Sequence, residues 1–237
     1  MPLSFKYKFL YIHVPKCAGT SIGKSLSRLT PLSFYKSGEL DRTNPDIWKH
    51  ATMTGSIHHK EKHLSAHEIK NMIGKEKFDK LFKFAFVRDP SARIVSFYNF
   101  ARNHKNPEIK AKHIRIALLS KNVNECISRM TLEKDLDLFF NQWRYIYDLD
   151  GKSCLVDFVG KTENVNNDFE KICKLSGLTD LFKRKFMKFF FKDPLSIPLL
   201  NVSKNKFSEY KEDLTNESKN ILRDRCKRDC DLFGYNI

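Results

Sequence analysis

Apolar residues along the chain fall into short runs set between polar stretches of helical spacing. Residues 9–14 (Phe-Leu-Tyr-Ile-His-Val) form one run, closed by Pro15, and predict a buried strand. Gly19 and Thr20 open a polar turn after it. Ile22, Leu26 and Leu29 then recur at helical spacing, so residues 21–29 predict a helix. Residues 65–73 predict another, with Ser65 as N-cap and Glu68 three positions on, a capping-box pattern. Residues 82–87 alternate and then turn wholly apolar, a second strand that stops at Arg88-Asp89-Pro90. Pro90 in the first turn, followed by Ile94, Val95, Phe97 and Tyr98, starts the next helix.

The second half reads less sharply. Residues 103–150 are mostly polar and helical, with Trp143, Tyr145 and Tyr147 marking one packed patch. Residues 154–159 predict a third strand, residues 164–175 a helix after it, and residues 207–233 two helical stretches. The chain has no internal repeat, low-complexity tract or long linker. Strands alternating with helices predict a three-layer α/β fold around a central parallel sheet flanked by helices, as a single domain over residues 1–237.

Charge narrows the choice of ligand. The 43 Lys and Arg against 28 Asp and Glu give a net charge of +15, which favours anionic ligands such as nucleotides or acidic glycans. The basic residues are spread along the chain; the dense runs at 183–188 and 223–228 are interrupted by apolar or acidic residues. Those runs read as solvated faces of amphipathic helices rather than a nucleic-acid stripe, so no nucleic-acid partner is expected. No stretch approaches the roughly 20 apolar residues of a transmembrane helix, and the first residues do not resemble a signal peptide. The six cysteines show no CxxC pair and no His-rich tract beside them, so no metal is expected and a reduced cytoplasmic setting is.

Two constellations carry candidate chemistry. The first is His13-Val14-Pro15-Lys16-Cys17-Ala18-Gly19-Thr20-Ser21, a strand-to-helix turn. Helix N-terminal amides, two hydroxyls and a lysine can cradle an anion there; an ordinary βα turn with a Thr or Ser cap is the plainer reading. Residues 18–25 also satisfy a relaxed Walker A pattern with Lys24 as its lysine. A P-loop follows its strand directly, however, whereas Pro15-Lys16-Cys17 intervene here and place Gly23 and Lys24 inside the helix. The second constellation is Arg88-Asp89-Pro90 with Ser96 about two turns on. Arg88 at a strand end can fork onto a phosphate, or simply pair with Asp89. Two anion sites, each at the C-terminal end of a strand, suit a ligand with phosphates at both ends.

With these residues in place the chain resembles the sulfotransferases that use 3′-phosphoadenosine 5′-phosphosulfate (PAPS), and looks closest to the carbohydrate branch with its heparan and uronosyl 2-O enzymes. That family's 5′-phosphosulfate loop, roughly Pro-Lys-Thr-Gly-Gly-Thr-Ser, is matched by residues 15–21. Its 3′-phosphate motif, Phe-x-Phe-Val-Arg-(Asp/Asn)-Pro-x-x-Arg-x-x-Ser-x-Tyr, is matched in full by residues 84–98. Residues 156–164 and 229–235 resemble it as well. The resemblance implies a P-loop-NTPase-like fold, PAPS as cosubstrate, and sulfuryl transfer to a hydroxyl acceptor, probable class a glycan. It implies that Lys16 contacts the 5′-phosphosulfate and steadies the leaving phosphate, that Cys17, Ala18, Gly19, Thr20 and Ser21 complete that loop, and that Arg88 and Ser96 hold the 3′-phosphate. Two departures stand out: Cys17 replaces Thr, and Ala18 replaces a Gly that takes φ > 0 far more readily.

An acceptor hydroxyl needs a base near neutral pKa, and histidine is the usual one. Residues 57–67 hold His58, His59, His63 and His67. His63, just before the predicted helix, sits where the sugar-sulfating relatives place a catalytic histidine; His58 and His59 are the alternatives. Gln142 and Trp143 fall where the family packs acceptor or adenine, and Asn201 to Lys204 resemble its late basic loop. A P-loop kinase built on Lys24 and a non-catalytic glycan- or nucleic-acid-binding module remain the rival readings. For localisation, the lumenal domain of a Golgi-anchored parent stands beside the cytoplasmic reading.

Overall fold

The computed structural model describes residues 3–5, 7–29, 63–103, 111–133, 136, 140–180 and 214–237. Asn201 to Lys204, His58 and His59 lie outside the described residues. The chain forms two compact units, Met1–Val87 with Arg144–Leu200, and Arg88–Trp143 with Asn201–Ile237.

The first unit is α/β. Its sheet runs β1 (Leu3–Ser4), β2 (Phe9–Ile12), β3 (Phe82–Val87) and β4 (Phe158–Lys161), in that spatial order. It is flanked by α1 (Gly19–Leu29), α2 (Ala66–Ile73), α3 (Lys75–Asp79) and α7 (Val165–Leu175). β2, β3 and β4 are parallel, with Ile12 opposite Ala85 and Val87 opposite Lys161. Strands buried on both faces carry continuous apolar runs. Accordingly Phe9, Leu10, Tyr11, Ile12, Phe84 and Phe86 are all buried, and the Tyr11 and Phe84 rings stack with centroids 5.2 Å apart. Gly160 makes room in this layer, since a Cβ there would come within 2.6 Å of the Phe86 ring.

Two strand expectations change. The sheet is mixed rather than wholly parallel, because β1 pairs antiparallel with β2, Leu3 opposite Leu10. The connection is a short turn in which the Lys8 amide donates to the Phe5 carbonyl and Lys8 takes φ 53°, and so short a link can join only antiparallel strands. The third predicted strand also begins later than residue 154. Cys154 makes an isolated antiparallel bridge with Tyr147, and the Leu155 amide donates to the Ile146 carbonyl, so the start of that apolar run turns back on its own chain. The ladder to β3 begins only after the Asp157 amide reaches the Lys83 carbonyl at 2.7 Å. Lys83 is the polar exception within β3. Its ammonium donates to the Leu81 carbonyl at 2.6 Å and pairs with Asp157 at 2.9 Å, which satisfies a charge otherwise costly to bury.

The second unit is helical among the described residues, with α4 (Pro90–Arg102), α5 (Lys112–Leu119), α6 (Val123–Thr131), α8 (Asn216–Arg225) and α9 (Lys227–Phe233). Asp89 caps α4 by accepting from the Ala92 amide at 2.9 Å, with Pro90 in the first turn. Phe97, Ala117, Ile127, Met130, Phe140 and Leu222 centre its core. The aromatic patch expected at 143–147 is divided, for Trp143 belongs to this unit and Tyr145 and Tyr147 to the first.

No cysteine is in a disulfide. Burial pushes the Cys126 and Cys173 thiols up to about 12 and the half-buried Cys230 thiol up to about 11, whereas Cys154 is exposed. Thiolate, not thiol, is the reactive species. The native protein should therefore show one fast-reacting thiol with a disulfide reagent at neutral pH, abolished by Cys154→Ser; several fast thiols would contradict this packing.

His113, whose ring lies 5.6 Å from that of Phe97, is held below the ordinary histidine pKa by burial. The unfolded chain then binds the proton more readily, so stability falls as pH drops below about 6.5. Denaturant unfolding at pH 5.5 and 7.5 should show a smaller loss for His113→Asn than for the wild type.

Candidate functional site

β2 and β3 end at the same edge of the first unit's sheet, and the turn from β2 into α1 lies at that edge. His13 is buried, its ring 5.8 Å from that of Tyr11. Gly19, the first residue of α1, fits against it only because it lacks a side chain: a Cβ there would fall 1.7 Å from Nε2 of His13. The turn is drawn in by the Val14 amide on the Ile12 carbonyl and the Cys17 amide on the Val14 carbonyl.

Lys16 and Ala18 both take left-handed backbone conformations, φ 66° and 55°. Left-handed residues alternating with ordinary ones can gather successive N–H groups into a concavity that receives an anion. α1 begins immediately afterwards, and no acidic residue occupies its first turn, so its N-terminal amides favour negative charge. Lys16 is half-buried, Thr20 exposed and Ser21 buried. Cys17 is wholly buried, its Sγ 3.5 Å from the Pro15 carbonyl oxygen, which makes it packing beneath the loop. Lys24 lies in the second turn of α1 and is exposed, as the spacing predicted.

His63 is brought to this turn from fifty residues away. Its Nδ1 lies 3.2 Å from the His13 carbonyl oxygen, and the two imidazole centroids are 4.6 Å apart. A carbonyl only accepts, so Nδ1 carries the proton and Nε2 is the basic nitrogen of the neutral ring. The capping box fixes the chain just beyond: the Ser65 amide donates to Glu68 Oε2 at 2.7 Å and the Glu68 amide to Ser65 Oγ at 3.2 Å. One unit thus assembles a cation, a helix N-terminus and an oriented base.

Arg88 and Ser96 belong to the second unit, and there the structure departs from expectation in an informative way. Gln142 does not line an acceptor surface. It is fully buried, and its amide holds both backbone groups of Arg88: the Arg88 N–H donates to Oε1 at 2.9 Å, and Nε2 donates to the Arg88 carbonyl at 2.8 Å. The Gln142 and Trp143 amides in turn donate to the two oxygens of Asp229 at 2.8 and 2.9 Å. Burial pushes the Asp229 carboxyl above its ordinary value, opposed by those two amides and by the charge of Arg93. Trp143 is core: its indole N–H donates to Asn141, and the Arg228 guanidinium stacks 4.0 Å from its ring centroid. Ser96 is half-buried on α4. On the first unit, Lys161 ends β4, its amide donating to Asp168, while the Thr162 hydroxyl donates to the Val87 carbonyl.

Sequence reasoning saw His13 as part of the loop and missed it as the seat of His63. Only the short apolar residue spacing around Gly19 hinted at so close an approach. Among the described residues no group of three or more His, Cys, Asp or Glu is arranged to hold a metal, and no helix is long and apolar enough to cross a membrane.

An α/β unit with an anion-receiving turn after a parallel strand defines a class of phosphate- or sulfate-handling protein. The comparison with protein families sharpens this: the chain belongs to the sulfotransferase family, whose model matches residues 3–236, and sulfuryl transfer is the chemistry of that family. An uncharacterized protein of Archaeoglobus fulgidus is 27% identical over 117 residues, covering 49% of this chain and 85% of that one. No solved structure matches the chain.

The left-handed Ala18 costs about 1–2 kcal/mol relative to an unstrained residue. Glycine removes that strain but gives back roughly 0.5–1 kcal/mol of backbone entropy. Ala18→Gly should therefore stabilise the protein by up to about 1 kcal/mol, read as a higher denaturant midpoint with an unchanged m-value. A lower midpoint would be incompatible with this loop conformation.

Proposed function

We propose that this chain transfers the sulfuryl group of PAPS to a hydroxyl of a carbohydrate acceptor. The observation that carries the reading is the seating of His63 on the His13 carbonyl beside the Lys16 turn. Transfer to a hydroxyl requires a group to accept its proton and a positive environment for the leaving phosphate, and both types of group meet there. The parallel β2–β3–β4 core, with its turn at a strand end, supports a three-layer P-loop-NTPase-like architecture.

In this reading Lys16, Gly19, Thr20 and Ser21 receive the 5′-phosphosulfate, with Cys17 and Ala18 shaping the loop. Arg88 and Ser96 bind the 3′-phosphate. The acceptor oxygen attacks sulfur in line with the bond to the 5′-phosphate oxygen; the new S–O bond forms as the old one breaks. The acceptor proton passes to Nε2 of His63, and Lys16 steadies the charge on the departing adenosine 3′,5′-bisphosphate. The net charge of +15 supports an anionic donor and an acidic glycan as acceptor. The resemblance of residues 84–98 to the carbohydrate branch supports the same acceptor class.

Calorimetric titration with adenosine 3′,5′-bisphosphate tests the reading. Wild type should bind in the micromolar range, and Arg88→Ala should weaken binding by about tenfold or more, as the loss of charge-assisted hydrogen bonds implies. His63→Ala should keep that affinity while sulfuryl transfer falls by roughly 10²–10⁴-fold, the usual share of a general base. Tight binding of ATP–Mg²⁺ in place of the bisphosphate would sink the proposal and favour a kinase built on Lys24.

A further inference from the structure

We infer that Gln142 and Asp229 are positioning residues for donor recognition, fixing the backbone of Arg88 and with it the place from which its guanidinium meets the 3′-phosphate. The inference rests on the proposed phosphate-binding role of Arg88. Its own basis is a relay of four hydrogen bonds that joins three segments far apart in sequence.

Arg88 occupies an awkward place in the chain. β3 ends at Val87 and α4 begins at Pro90, with Asp89 as its cap, so neither ladder nor helix dictates the Arg88 backbone. The Gln142 side chain supplies what a neighbouring strand would have supplied, accepting from the Arg88 N–H and donating to its carbonyl. Only an amide of this length offers an acceptor and a donor side by side. Glutamate could accept but would set an oxygen against the carbonyl, and methionine of similar shape would leave both buried groups unsatisfied.

Gln142 is itself held in place. It opens a 3-10 turn (Gln142–Tyr145) whose first amides have no partner within the turn, and the two oxygens of Asp229 accept from two of them. Asp229 is wholly buried in α9, so its carboxylate is committed to this turn and does not face solvent. The direction of a side chain follows from the φ and ψ of its own residue, and a misplacement of about 1 Å at a recognition site is costly. Loosening the Gln142 clamp should therefore weaken the hold on the 3′-phosphate without touching the rest of the nucleotide.

Binding of adenosine 3′,5′-bisphosphate and of adenosine 5′-monophosphate, which lacks the 3′-phosphate, separates these effects. Calorimetry on wild type, Arg88→Ala, Gln142→Glu and Gln142→Met, with thermal unfolding alongside, should show the preference for the bisphosphate falling by about tenfold or more in both Gln142 variants. Affinity for the monophosphate should be unchanged. The double variant Arg88→Ala/Gln142→Glu should lose no more preference than Arg88→Ala alone. If Gln142→Met does not fold, Asp229→Asn, which keeps Gln142 and weakens its anchorage, gives the same comparison. A preference lost in Arg88→Ala but retained in the Gln142 variants would overturn the inference and leave the binding role of Arg88 intact. A preference retained in Arg88→Ala would overturn that role, and the inference with it.

Discussion

Where β2 gives way to α1, an imidazole occupies the space a side chain on the first helical residue would need. His13 and Gly19 approach so closely that a single added carbon would fall 1.7 Å from Nε2. Much else in the first unit follows from this contact. It fixes where α1 starts, and so where its N-terminal amides point. It confines the turn between to five residues, which is achieved with left-handed Lys16 and Ala18. It also holds His13 so that its carbonyl meets Nδ1 of His63. A tight, strained turn and an oriented base are thus two consequences of one packing constraint.

The local parts of this arrangement are legible in the sequence. The apolar run of β3 matches its strand end to end, Pro90 marks the first turn of α4, and Ser65 with Glu68 forms the predicted capping box. Each is written in residues within a few positions of one another. What local spacing misjudges is where a run of apolar residues meets its neighbour. Residues 154–155 look like strand but pair back onto 146–147, and the ladder starts only at Phe158. The antiparallel β1 escaped for a different reason, since two residues are too few to show a period.

Long-range polar contacts leave no periodic mark at all. Nothing in the residues flanking Gln142 distinguishes an amide that clamps the backbone of Arg88 from one that faces solvent. Nor does Asp229, in a tail rich in Asp, Lys and Arg, announce that it is wholly buried. The resemblance to sulfotransferases drew attention to both stretches but attached the wrong task to Gln142. Such residues become visible only when donors and acceptors are accounted for one by one, because a buried polar group without a hydrogen bond is expensive.

The two departures from the family's loop pattern can be weighed in the same way. Cys17 faces inward, its thiol against the Pro15 carbonyl, so the hydroxyl it replaces is missed at most as one donor to a ligand. Ala18 is the costlier change, because the loop keeps the left-handed conformation that glycine would take more cheaply. Strain of this kind persists only when the surroundings over-determine it. Here they do: the Ala18 carbonyl accepts from the Ile22 amide in the first turn of α1, Cys17 is packed beneath, and Gly19 is locked against His13. The loop therefore holds its shape despite the substitution, and the functional demand falls on the backbone amides and Lys16 rather than on the side chains at positions 17 and 18.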